Sequence, residues 1–164
     1  MQILDHRQIQ QKIKRMATEI LENNLGAKDL YFVGINNNGY LLAKCLVDQI
    51  GKITDKSIHL SRIKISPANP LETEISYDGD IKSLKSKTVI LVDDVANTGR
   101  TMFFAFKPFL TILPKRFETA VLIDRTHKYF PVKSDYVGLA LATTLKENIL
   151  VNFDDKDNVF ATLE

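Results

Sequence analysis

The sequence predicts an α/β fold, a mostly parallel central sheet flanked by helices, on three observations. Short, almost wholly apolar runs rich in β-branched residues recur at 30–35, 88–92 and 117–123, as expected of strands covered on both faces. Segments of helical apolar spacing fall between them. Strands that alternate with helices in this way build a parallel sheet with helices on its faces.

Element by element, the first helix opens at Asp5, with Gln8 placed to complete a capping box, and Ile9, Ile13, Met16 and Ile20 mark its apolar face. Asn23, Asn24 and Gly26 end it. The strand at 30–35 runs into Asn36-Asn37-Asn38-Gly39, read as a turn, and then a second helix with Leu41, Leu42, Cys45, Leu46 and Ile50 inward. Residues 57–65 read as a strand, 66–70 as a break, and 71–77 as a returning strand. After the strand at 88–92 a helix starts near Arg100, with Met102, Phe106, Phe109 and Leu113 at 4-3-4 spacing. Pro108 should kink it or end it early. Strands at 117–123 and 136–140 follow, and 149–153 with 159–163 reads as a closing hairpin.

Composition narrows the function classes. The chain has 164 residues, enough for one well-buried domain and too few for two ordinary ones. It is 45% apolar and 26% charged, and 22 bases against 20 acids leave a net charge of +2, without the like-charge block of a nucleic-acid tail. Cys45 is the only cysteine, which excludes an internal disulfide and a cysteine-rich zinc site. No apolar run approaches the roughly 20 residues of a membrane span. Asp5, Glu19, Glu22 and Asp29 argue against a leader or transit peptide, so the cytoplasm is the expected compartment. A solvated surface explains Lys12, Lys14 and Arg15, and Lys82, Lys85 and Lys87, better than an RNA footprint does.

Chemistry concentrates in residues 89–101. A buried strand delivers Asp93 and Asp94 at its carboxyl end, where ligands bind in open α/β sheets. Thr98-Gly99-Arg100-Thr101 then opens a helix whose unpaired amides suit an anion. Gly99 allows close approach of the backbone, and the Thr98 and Thr101 hydroxyls add donors. The aspartates would repel that anion if they faced it. They make sense facing hydroxyl groups or a hydrated Mg²⁺. Phosphate at one end and vicinal hydroxyls at the other describe a ribose 5-phosphate. Paired aspartates also suit a receiver-type phosphorelay domain, but Thr98-Gly99-Arg100-Thr101 has no role in that scheme.

This segment resembles the phosphoribosyl pyrophosphate motif of type I phosphoribosyltransferases. The resemblance is strongest to the branch that pairs pyrimidine-operon attenuation with uracil phosphoribosyltransferase activity. Three weaker stretches occur in that family's order: Val33-Gly34-Ile35 with Gly39 and Leu42-Ala43, then 121–125 with His127, then Ser134 to Gly138 with Thr143.

The resemblance implies that Asp93 and Asp94 hold the ribose hydroxyls and Mg²⁺, and that Ala96, Asn97, Thr98, Gly99, Arg100 and Thr101 cradle the 5-phosphate. It implies pyrophosphate on Asn36, Asn37, Asn38 and Gly39, and the base near Arg125, Tyr136, Val137 and Gly138. The chain ends would form a small hood, and residues 65–88 a mobile covering arm. The implied partners are phosphoribosyl pyrophosphate or a nucleoside monophosphate, a nucleobase and a second copy in a homodimer. RNA is the lesser expectation.

The chain departs from the family on the pyrophosphate side. Relatives carry Lys-Thr-Arg-Gly where this chain has Asn36-Asn37-Asn38-Gly39. The arm has Ser66-Pro67-Ala68-Asn69-Pro70 in place of a Tyr-Arg-Asp run, and Leu145 replaces an arginine. A neutral amide in place of a guanidinium weakens a phosphate contact. These losses imply a site that holds a nucleotide more securely than it catalyses transfer, and the alternative function is a non-catalytic nucleotide-binding regulator. Among lone residues, His6, His59 and His127 read as structural or exposed, Cys45 as core, and Phe103, Phe104, Phe106 and Phe109 as packing or a subunit contact.

Overall fold

A computed structural model describes residues 1–144 and 146–164, so the expectation at Leu145 lies outside the described residues. The elements run β1 (Gln2–Leu4), α1 (His6–Asn23), β2 (Asp29–Ile35), α2 (Asn36–Gly51), β3 (Ser57–Lys64), β4 (Ser76–Tyr77), β5 (Thr88–Ala96), α3 (Arg100–Ala105), β6 (Arg116–Arg125), β7 (Tyr136–Leu141), β8 (Ile149–Asn152) and β9 (Phe160–Leu163). A six-stranded sheet has the order β4-β3-β2-β5-β6-β7 and is parallel except where β4 pairs antiparallel with β3. A separate antiparallel sheet, β1-β9-β8, joins the two ends of the chain.

α1 forms where its cap dictates. The Asp5 carboxylate accepts from the Gln8 amide at 2.8 Å, and the Gln8 side chain accepts from the Asp5 amide at 2.9 Å. Its buried face is Ile9, Ile13, Met16, Ala17 and Ile20. Each large apolar side chain there contributes about 1.5–3 kcal/mol on burial. α1 and α2 cover one face of the sheet, over Leu30, Phe32, Ile90 and Val92. α3 and the 3₁₀ turn Lys107–Thr111 cover the other, where Phe109 packs on Val89, Leu91 and Phe117. No helix among the described residues is long and apolar enough to cross a membrane.

Four expectations need correction. The turn at 36–39 is the first turn of α2 itself, because the chain reverses at a single residue, Asn36, with φ 54°. The strand expected over 71–77 contracts to Ser76–Tyr77. The helix after Arg100 ends early at Ala105, as Pro108 leads one to expect, since proline has no amide hydrogen and its ring crowds the carbonyl four residues back; the chain tightens into a 3₁₀ turn. Leu113 consequently leaves the apolar face and is 79% exposed. Cys45 lies half-buried at the margin of the core, not within it.

Candidate active site

β5 is buried from Thr88 to Val92, and its pairing continues to Ala96, so Asp93 and Asp94 lie within the strand and not in the loop after it. Both line a cleft of about 390 Å³ at the carboxyl ends of the parallel strands. Asp93 is half-buried, and its carboxylate accepts from the Asp94 amide at 2.9 Å. Burial first, then the adjacent Asp94 charge, push the Asp93 carboxyl well above the usual carboxylate range.

Opposite the aspartates stands the amino terminus of α2. Gly39 makes this approach possible: a β-carbon there would lie 2.6 Å from the Val92 carbonyl oxygen and 3.3 Å from the Asp93 Cα. Ile35 precedes the helix and offers no side-chain cap, so the leading amides of this 16-residue helix remain available to an anion.

The three asparagines tie this turn to its neighbours. The Asn36 amide donates to the Ile65 carbonyl at 3.0 Å and accepts from the Ile65 amide at 3.0 Å. Asn37 Oδ1 accepts from Arg62 at 3.2 Å. Asn38 donates to Asp94 Oδ2 at 2.9 Å and to the Val151 carbonyl at 3.0 Å, linking β5 to the small sheet. Ile149 to Val151 of β8 and Pro67 of the arm close the cleft with apolar surface.

The segment after β5 turns sharply at Gly99, whose φ of 87° and closeness to Val132, 2.4 Å from where a β-carbon would sit, require glycine. Among the described residues no protein acceptor takes the amides of Asn97, Thr98 or Gly99. The Thr98 carbonyl accepts from the amides of Tyr129 and Phe130, which fixes the loop from below. Asn97 and Thr101 line the cleft. Ala96 is buried beside it, and Arg100 turns outward to donate to the Pro67 carbonyl at 2.7 Å. α3 has only six residues, so the free loop amides matter more here than any helix dipole.

Arg125 bridges the loops that follow β5 and β7. It donates to Thr143 Oγ1 at 2.7 Å, to Asn97 Oδ1 at 3.3 Å and to the Thr144 carbonyl. Lys128 pairs with Asp124 at 2.6 Å and lies 3.5 Å from the Ala96 carbonyl. His127 is exposed and meets Tyr129 edge-on.

Asp93, Asp94, Asn36, Asn37, Asn38, Asn97 and Thr101 thus converge as the sequence suggested. Tyr136, Val137 and Gly138 do not line this cleft. Tyr136 pairs with Ala120, level with Val92 inside the sheet, and its hydroxyl donates to the buried Glu118 at 2.7 Å. The Val137 and Gly138 carbonyls accept from Arg15 at 3.0 and 2.8 Å. Pro67 stands in the arm expected to cover the site, whereas Arg62, Lys128 and the β8 wall escaped the sequence reading. Of these only Lys128, four residues after Asp124, carried a local signal.

Residues 1–155 match the model of the phosphoribosyl transferase domain. The chain is 35% identical over 162 residues to the bifunctional protein PyrR of Clostridium botulinum, covering 94% of this chain and 90% of that protein. It is 36% identical over 170 residues to the bifunctional protein PyrR of Alkaliphilus metalliredigens, covering 96% and 92%. Among solved structures, the hypoxanthine phosphoribosyltransferase of Trypanosoma cruzi matches with a TM-score of 0.77 at 18% identity, covering 98% of this chain and 94% of that one. A hypoxanthine-guanine phosphoribosyltransferase from Bacillus anthracis matches with a TM-score of 0.75 at 19% identity, covering 98% and 96%. At these identities the solved structures speak for the fold alone, and the family model and the sequence relatives carry the assignment: the chain belongs to the phosphoribosyltransferase family.

Proposed function

We propose that this phosphoribosyltransferase carries ribose 5-phosphate from phosphoribosyl pyrophosphate to a pyrimidine base, uracil being the first candidate, with Mg²⁺ as cofactor. One observation supports the reading above all: the cleft that holds the two carboxylates is bordered by the start of α2 on one side and, on the other, by Asn97, which opens a loop with free amides at 97–99. That spacing of anion, acid and anion suits a sugar with phosphate at one end and pyrophosphate at the other.

In this reading the amides of Asn97, Thr98 and Gly99 hold the 5-phosphate, with Thr101 beside them. Asp93 and Asp94 accept from the ribose hydroxyls. The leading amides of α2 receive the departing pyrophosphate, and their fixed orientation stabilises that charge without reorganisation. Pro67 and the β8 wall exclude water, which would otherwise compete with the base. Arg125 and Thr143 mark the base side at the end of β7, beyond Tyr136.

The acid pair fits Mg²⁺, which takes one or two carboxylates and completes its shell with substrate oxygens and water. Burial first, and then the neighbouring Asp94 charge, raise the proton affinity of Asp93, and a divalent cation would offset both. When bound, the ion neutralises charge on the aspartates and the diphosphate.

Pyrophosphate release measured with a panel of bases tests the proposal. Release with uracil or another pyrimidine, dependent on Mg²⁺, is expected; no release with any base would leave a nucleotide-binding regulator. The lack of a basic side chain in the first turn of α2 favours that second reading. Isothermal titration separates the two, since a transferase prefers phosphoribosyl pyrophosphate and a regulator prefers the nucleoside monophosphate. We also propose a cytoplasmic homodimer, with the sedimentation mass as the check on assembly.

A further inference from the structure

We infer that Arg62, assisted by Lys64, supplies the departing pyrophosphate with the positive charge that the first turn of α2 lacks. The assignment deepens the proposed function and rests on its placement of pyrophosphate at the start of α2. Both residues lie on β3, outside every phosphate motif in the sequence.

Sheet register brings them there. β3 runs parallel to β2 with Arg62 opposite Gly34 and Ile63 opposite Ile35, so Arg62 stands level with the residues that lead into α2. Its guanidinium lies over the Tyr40 ring, 4.1 Å from the centroid, and Nη1 reaches Asn37 Oδ1 at 3.2 Å. Stacking holds the planar group in place while its other N–H donors stay available. Among the described residues neither Arg62 nor Lys64 forms an ion pair. The nearby Asp78 carboxylate accepts instead from the Arg62 backbone amide at 2.7 Å.

Lys64 lies two residues further along the same strand and so shares a face with Arg62. It lines a second cleft, of about 480 Å³, that meets the first at Asn36, Asn37 and Pro67. Glu74 also lines that cleft and opposes an anion beside it.

Electrostatics gives the cations a purpose. A helix terminus contributes about half a positive charge, far short of what a leaving pyrophosphate carries. The neutral Asn37 carbonyl is a weaker acceptor for a guanidinium than a phosphate oxygen, so Arg62 gains by exchanging one for the other. Arg62 therefore acts as a binding residue for the leaving group, held ready by Tyr40 and Asn37.

Titration calorimetry with Mg²⁺ present, using inorganic pyrophosphate and uridine monophosphate as separate probes, tests this on the full chain. Arg62→Gln should weaken pyrophosphate about tenfold or more, the loss of a charged hydrogen bond, and leave uridine monophosphate within about twofold. Lys64→Gln should do the same to a smaller extent, and Arg62→Lys should restore part of the loss. Unchanged pyrophosphate affinity, or equal loss for both probes, overturns the assignment. If Arg62→Gln does not fold, the Arg62→Lys and Lys64→Gln proteins decide by the same two ligands. Wild-type protein that binds the nucleotide but not pyrophosphate removes the role of Arg62 alone, and failure to bind either removes the reading of the cleft.

Discussion

Asp93 sits where its charge is costly, its carboxylate drawn partly out of water and set beside the like charge of Asp94. Its ordinary value is 3.8 and the folded protein raises it. Below pH 3.8 both states hold the proton and nothing is lost. As pH rises from there through the raised value, the unfolded chain ionises first and the folded state loses stability. Asp93→Asn keeps the shape, and its side-chain oxygen can still accept from the Asp94 amide. At pH 8 the variant should melt higher by roughly 2–4 °C, the shift expected for about 1 kcal/mol, with no such gain at pH 4. Mg²⁺ should raise the melting temperature of the wild type and not of the variant, which should also lose transfer activity. A variant no more stable than wild type at pH 8 would contradict the burial argument. The aspartates were legible in the sequence because they adjoin Thr98-Gly99-Arg100-Thr101 in one contiguous run. Arg62 was not, since only strand register brings it to Asn37.

α2 shows how turn chemistry can mislead at the level of an element. Three asparagines and a glycine read as a loop, yet only Asn36 adopts the left-handed conformation and the helix begins at once. Asn36 serves two purposes there: it tolerates φ 54°, and its amide pairs twice with Ile65 at the root of the arm. Two substitutions separate them. Asn36→Gly keeps the backbone freedom and loses the Ile65 bonds, at a cost of about 1–3 kcal/mol. Asn36→Ala loses both and should be a further 1 kcal/mol or so less stable in urea titrations. Both should raise KM for phosphoribosyl pyrophosphate, because the arm is no longer anchored. If alanine is as stable as glycine, Asn36 is held by its side chain and not by its backbone angle. α3 repeats the lesson. Apolar spacing carried the expected inward face to Leu113, but the break foreseen at Pro108 came early, at Ala105, and left Leu113 exposed.

Across the whole molecule the two ends of the parallel strands do different work. The carboxyl ends hold the cleft, and below them a buried polar cluster fastens α1 to β6 and β7. Glu118, 5% exposed, accepts from Asn24 at 2.7 Å and from the Tyr136 hydroxyl at 2.7 Å, and Arg116 lies 3.3 Å away. Strand order and helix placement were legible because they follow from apolar periodicity. The bond from Tyr136 to Glu118 was not, because segment order along the chain does not tell which side chains meet across neighbouring strands. Burial and then the Glu118 bond raise the Tyr136 hydroxyl from 10.0 to about 12. A raised acid stabilises fully below its unfolded value, so this contribution is intact below pH 10 and drains away between about pH 10 and 12. Tyr136→Phe removes one donor from a buried carboxylate and should cost about 1–3 kcal/mol in urea at pH 8. The gap from wild type should narrow at pH 11 and above, as the wild-type hydroxyl ionises, with tyrosinate absorbance following the same rise. Affinity for uridine monophosphate at pH 8 should be unchanged. Loss of nucleotide affinity without loss of stability would instead put Tyr136 at the base, where its place in the order of motifs first suggested.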